Sequence, residues 1–174
     1  MPPSMPATNE TAADARADAR AGPYLTFQLG HREFGIRALN VREIMGLQKI
    51  TAVPRTPAHV KGVIDLRGKA VPVIDLRLKL GMPAAAYGRG ACIVVTQTHA
   101  ATGPALMGIV VDGVSEVLHL AAAEIEDVPN LGEEMAAPYL LGLAKVRGSV
   151  KTLLDIDKAL ASQDLHNLSA VLNR

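Results

Sequence analysis

The sequence has no tryptophan, a single cysteine and only 3% aromatic residues. Each shortage excludes a class of function. A surface that stacks single-stranded bases needs aromatic faces, and this chain has few to offer. One cysteine cannot form an intrachain disulfide, and Cys92, inside the apolar run ACIVV, reads as a small buried thiol. An excess of one charge is missing too. Eighteen Lys and Arg against 17 Asp and Glu leave a net charge of +1, without the basic footprint of a protein that neutralises many phosphates, so no nucleic-acid partner is expected. The longest apolar stretches, ALMGIVV (105–111) and AAPYLLGLA (136–144), fall short of the roughly 18 residues of a membrane span. The N-terminus lacks a basic start followed by an apolar region. A soluble, intracellular protein without direct membrane insertion is expected.

Chemical motifs are equally scarce. The five histidines lie at least 20 residues apart and form no metal-ligand spacing. No phosphate-binding glycine loop and no G-x-S-x-G nucleophile elbow occurs. Asp75 and Asp155 invite comparison with a paired-carboxylate hydrolase. Each instead opens a short helical pattern, IDLRLKL and LDIDKAL, where Asp caps a helix. Neither is followed by the Thr/Ser-Gly of a proteolytic dyad. The reading is a binding module with no enzyme activity, no cofactor and no metal.

What the sequence does contain is itself, twice. GVIDLRGKAVPVIDL (62–76) aligns with GLAKVRGSVKTLLDI (142–156) at an offset of 80, matching Gly62, Arg67, Gly68 and Asp75 to Gly142, Arg147, Gly148 and Asp155. GIRALNVREIM (35–45) aligns with GIVVDGVSEVL (108–118) at an offset of 73, matching Glu43 to Glu116 and Val41 to Val114. Two blocks recurring in one order predict a duplicated β unit: two antiparallel barrels of about five strands each, packed together. Each long block reads as a hairpin, with Ile64 and Leu66 on one face and Gly68 free to take a positive φ at the turn. Residues 1–22 are expected to be a disordered leader, 23–160 the twin-barrel domain, 81–90 the joining loop, and 161–174 a helical tail with Leu165, Leu168, Val171 and Leu172 at helical spacing.

The segments YLTFQLGHREFGIRALNVREIM, TPAHVKGVIDLRGKAVPVIDLRLKLG, GIVVDGVSEVL and YLLGL resemble the CheW family of bacterial chemosensory adaptors, in order and spacing, from about residue 23 to 160. The resemblance implies a mainly β fold of two intertwined five-stranded SH3-like barrels, with short helices and a C-terminal helix. It implies an adaptor that couples the cytoplasmic tip of a chemoreceptor (a methyl-accepting chemotaxis protein) to the CheW-like regulatory domain of the histidine kinase CheA. The location implied is cytoplasmic, at membrane-bound receptor arrays. Within the family the alternative is an adaptor of a pilus or other chemosensory-like pathway; outside it, a nucleic-acid-binding barrel. No receiver domain is expected after Arg174.

By the same resemblance Val41, Glu43, Arg67 and Val117 match receptor-binding positions, and Ile50, Lys61, Gly62 and Val71 match kinase-binding ones. The residues themselves also admit plainer readings. Arg67 fits a surface ion pair with Asp65 or Glu43 as well as a contact, Val41 and Val117 fit barrel core, Gly62 fits a conformation reserved for glycine, and Lys61 fits a solvated face. Lys151 and Thr152 stand where the repeat calls for more apolar residues, which leaves the partner of that edge open.

Overall fold

A computed structural model describes residues 19–100, 103–128 and 139–160. Its first half comprises β1 (Gly22–Leu29), β2 (Arg32–Arg37), a 3-10 turn (Ala38–Asn40), β3 (Val41–Gly46), β4 (Val60–Leu66), β5 (Lys69–Asp75) and α1 (Leu76–Lys79). The second comprises β6 (Cys92–Ala100), β7 (Gly103–Val111), β8 (Gly113–Leu120), a 3-10 turn (Ala122–Glu124), β9 (Ile125–Glu126), β10 (Leu140–Val146), β11 (Ser149–Leu154) and α2 (Ile156–Leu160). The short amphipathic stretch ALNVREIM becomes the 3-10 turn and β3, and its repeat GVSEVL becomes β8. Ala38, Leu39, Arg42, Glu43 and Met45 are good helix formers, but pairing with β6 overrides that preference and side chains along β3 alternate between half-buried and exposed.

The sheets run β3-β6-β7-β5-β4 and β8-β1-β2-β11-β10-β9. Replacing each first-half strand by its repeat converts one order into the other, apart from β9. The registers agree: Val73 lies opposite Gly108 and Ile74 opposite Ile109, as Leu153 lies opposite Gly35 and Leu154 opposite Ile36. Both hairpins also shift register at the same point, between Val60 and Gly62 and between Leu140 and Gly142. The duplication is therefore present in the backbone. One expectation is corrected: the units are not wholly antiparallel. Strands β5 and β7 pair in parallel, as do β11 and β2, because each sheet takes a hairpin from one half and the remaining strands from the other.

Each sheet curls until chain beyond one edge meets the opposite edge. Thr51, after β3, exchanges both backbone hydrogen bonds with Val63 of β4 at 2.9 Å. On the other sheet β9, after β8, pairs Glu126 with Leu143 of β10. At both closures a glycine admits the approaching backbone. A Cβ on Gly62 would lie 2.0 Å from the Thr51 carbonyl oxygen, and one on Gly142 would lie 2.7 Å from that of Glu126.

Among the described residues the buried apolar side chains form three clusters. Ile64, Val71, Val73, Ile93, Val95 and Val110 pack inside the five-stranded sheet, and Tyr24, Leu120, Ile125, Ala144 and Leu153 inside the six-stranded one. Between them a shared core takes Leu25, Phe27 and Ile36 from the first half and Val94, Ile109 and Leu154 from the second. A polar hub ties the halves as well. Buried Arg77 sits 3.3 Å from Asp112, whose other carboxylate oxygen accepts the Gly30 N–H at 2.6 Å. Arg77 also donates to the Ala85 carbonyl at 2.7 Å and lies over the Tyr87 ring, anchoring the joining loop.

Residues 1–18 of the expected leader and the tail 161–174 lie outside the described residues. The leader's other end is not free. Arg20 is buried, donating to the Leu141 carbonyl at 2.8 Å and to Asp127 at 3.0 Å, and β1 begins at Gly22.

Candidate functional site

Each long hairpin turns through Arg-Gly with both residues at positive φ: Arg67 at 50° and Gly68 at 86°, Arg147 at 50° and Gly148 at 81°. Two consecutive positive φ values define a type I′ turn, whose twist matches that of the strands. The first turn is reinforced by Asp65, which accepts the Gly68 N–H at 2.9 Å. From it Arg67 reaches Glu43 on β3 at 3.2 Å, and Arg147 reaches Glu116 on β8 at 3.1 Å. In both, turn and edge strand come from opposite margins of a curled sheet, so each ion pair is a clasp across a barrel's seam.

The structure brings three of the four expected receptor-binding residues to the five-stranded sheet. Glu43 and Arg67 are in contact, and Val41, on the same strand, is half-buried against the shared core. Val117 lies apart, on β8 of the six-stranded sheet beside Glu116. It is 50% exposed, not core. Its repeat partner is Ile44, 46% exposed on β3, which the motif reading passed over although the offset of 73 pairs the two positions. Leu39 and Leu47 are further exposed apolar residues flanking β3.

The four expected kinase-binding residues divide differently. Ile50 and Lys61 are half-exposed, Ile50 resting on the interior cluster of the five-stranded sheet. Val71 is 1% exposed within that cluster, and Gly62 is buried against Thr51 at φ 139°. No partner can touch the Val71 side chain directly. Ile50 lies on the interior side of the barrel wall, and Lys61, between buried Val60 and Gly62, on its outer side.

The carboxylates set aside as catalytic candidates act as caps. Asp75 accepts the Leu78 N–H at 3.3 Å and Asp155 accepts the Lys158 N–H at 3.2 Å. Asp75 also accepts the Tyr87 hydroxyl and lies 3.6 Å from Arg77. Burial, then the Asp75 carboxylate, pushes the Tyr87 phenol well above its ordinary pKa. With its acceptors so engaged, Asp75 is poorly placed to activate water. Cys92 is half-buried, and burial pushes its thiol up, away from the nucleophilic thiolate. Among the described residues no group of three or more His, Cys, Asp and Glu converges as a metal site, and no helix is long and apolar enough to cross a membrane.

The two seams thus each carry an exposed Arg–Glu ion pair at a hairpin turn. The CheW-like domain profile matches residues 23–164. The chemotaxis protein CheW of Klebsiella aerogenes is 39% identical over 142 residues, spanning 82% of this chain and 83% of that protein. Protein FrzA of Myxococcus xanthus is 32% identical, spanning 86% and 93%. The crystal structure of the scaffolding protein TtCheW from Thermoanaerobacter tengcongensis shares the fold at a TM-score of 0.73 and 24% identity, covering 83% of this chain and 95% of that one. With the family profile spanning both barrels and the joining loop, the chain belongs to the CheW-like domain family.

Proposed function

We propose that this protein is a non-catalytic adaptor that couples chemoreceptor cytoplasmic tips to the histidine kinase CheA in chemosensory arrays. The receptor tip, a helical hairpin, engages Val41, Glu43 and Arg67, with Val117 assigned to the same function by family resemblance. The CheW-like domain of the kinase engages the barrel wall that carries Ile50, Lys61, Gly62 and Val71, through the exposed parts of Ile50 and Lys61. Assembly takes place in the cytoplasm, against membrane-bound receptors, through protein contacts alone.

One observation carries the receptor assignment: an arginine occupies the first central position of a type I′ turn at φ 50°. Turn chemistry selects Asn, Asp or Gly there, since other side chains cost about 1–2 kcal/mol in the left-handed region. The ion pair does not offset that cost. Arg67 is 76% exposed in its side chain, and exposed pairs contribute about 0–1 kcal/mol. An arginine held at a cost the fold does not recover is there for what its guanidinium binds.

The direct test is autophosphorylation of CheA reconstituted with receptor, with and without this protein. Receptor-dependent stimulation that requires the protein, and that falls several-fold with Arg67→Glu, is the expected result. Equal kinase activity in its absence would reject the adaptor reading.

A further inference from the structure

We infer that the buried ion pair between Glu33 and Lys151 is a pairing code: it directs the hairpin β10–β11 to β2 and thereby leaves β7 to the hairpin β4–β5. Duplication creates the need for such a code. Each hairpin lies beside a strand of the other half, and the two ladders are built alike. Strand β5 runs parallel to β7 with Val73 opposite Gly108 and Ile74 opposite Ile109; β11 runs parallel to β2 with Leu153 opposite Gly35 and Leu154 opposite Ile36. Both receiving strands therefore offer a Gly-Ile step in the same register, and both hairpins answer it with two aliphatic residues. Along these steps, backbone shape and apolar fit let either hairpin suit either strand.

Two residues earlier the ladders part. Lys151 stands opposite Glu33 and binds its carboxylate, which also accepts the Ser149 hydroxyl at 3.1 Å. At the offsets of 80 and 73 the matching residues are Val71 and Leu106, an apolar pair packed inside the five-stranded sheet. Exchanging the hairpins would set Val71 against Glu33 and Lys151 against Leu106. Glu33, with a side chain 29% exposed, still reaches water from the rim. Lys151, at 5%, does not. Its ammonium would be buried against a leucine, and a buried charge without a partner is strongly destabilising.

Stability alone does not account for the pair. The other barrel fills the same two positions with aliphatic side chains, and a buried ion pair often holds a fold no better than well-packed apolar residues in its place. What the ion pair adds is discrimination. A buried lysine accepts a carboxylate neighbour and rejects a leucine, whereas aliphatic side chains accept one another in any combination. Present in one barrel only, it labels that barrel and so tells two otherwise interchangeable hairpins apart.

Amide-resolved NMR of the full chain, refolded from urea at low concentration, tests the inference. The wild type is expected to give one set of resonances, with nuclear Overhauser contacts between β11 and β2 and between β5 and β7. Glu33→Leu with Lys151→Val puts an aliphatic pair in both barrels. That variant should fold but show a second set of resonances, with contacts between β11 and β7 and between β5 and β2. Adding Val71→Lys and Leu106→Glu moves the ion pair to the other barrel and should restore one set with the wild-type contacts. A single set with wild-type contacts in the aliphatic variant overturns the inference and makes the ion pair a local contact. Failure of that variant to fold overturns it too, since the aliphatic pair of the other barrel would then be no substitute. Two sets, or no fold, after the ion pair is moved would show that the effect belongs to the site and not to the pairing, and a second set in the wild type would show that no code operates.

Discussion

At the scale of single residues, glycine and arginine separate what the fold requires from what a partner requires. Gly68 has open space around its Cα and a φ of 86°, so a side chain there meets backbone strain alone. Gly68→Val is expected to lower stability by about 1–2 kcal/mol; an unchanged urea midpoint would contradict the turn geometry. Gly62→Ala should cost more, about 3 kcal/mol or above, because its Cβ would enter the Thr51 carbonyl at a closing bridge of the barrel. The turn glycine was legible in the sequence because turn chemistry is local. The reason for Gly62 was only half legible: its unusual φ could be anticipated, but the crowding comes from Thr51, whose pairing with Val63 no local pattern announces. Burial of Val71 was hidden for a similar cause: Val71 to Asp75 are buried in succession because β5 lies between β4 and β7, a placement its own residues do not name. Arg67→Asn is expected to leave the melting temperature unchanged or raise it while weakening the receptor tip several-fold. A parallel fall in stability and binding would instead make Arg67 a scaffold residue.

At the scale of elements, the repeat offsets identified both hairpins and their turns, because a two-residue turn fixes register locally. They did not reveal which strands pair between the halves. The parallel ladders β5–β7 and β2–β11 join segments distant in sequence, and nothing in either strand's own pattern names its neighbour. The same offsets expose a difference between the barrels. Val71 and Leu106 pack in the interior cluster of one; the matching positions in the other hold Lys151 and Glu33, which form an ion pair with Lys151 buried. Glu33→Leu alone strands the buried ammonium and should cost about 3 kcal/mol, whereas Glu33→Leu with Lys151→Val recreates the apolar pair and should recover most of that loss in urea unfolding. The pair also carries a pH signature. The hydrogen bond from Lys151 holds the Glu33 carboxyl below its ordinary value of 4.5. A carboxylate depressed in the folded state stabilises fully above its unfolded pKa and loses that contribution as pH falls through the folded value. Below about pH 4.5 the wild type should therefore lose stability faster than the double variant; identical slopes would show that the two side chains do not interact in solution.

At the scale of the whole molecule, the duplication is an interlock. The five-stranded sheet has β6 and β7 at its centre, between first-half strands β3 and β5; the six-stranded sheet has β1 and β2 between second-half strands β8 and β11. Removing either half would leave one sheet without its middle and the other without its flanks, and would strip the shared core of about half its side chains. The Arg77–Asp112–Gly30 hub crosses the same divide, carrying charge from first half to second and a hydrogen bond back. Two barrels so interleaved cannot unfold one at a time, because strands common to both lose their neighbours together. Urea unfolding of the full chain should thus be a single transition, with far-ultraviolet circular dichroism and fluorescence of the tyrosines changing at one midpoint. The sharper test divides the chain within the joining loop, at residue 85, and prepares 1–85 and 86–174 separately. Each piece alone should show no cooperative transition, since neither can complete a sheet, while an equimolar mixture should recover strand signal and cooperative unfolding at a midpoint that rises with concentration. A cooperative transition in either isolated piece would mean that one half builds a barrel from its own strands, and that the exchange between halves is not what holds the molecule together.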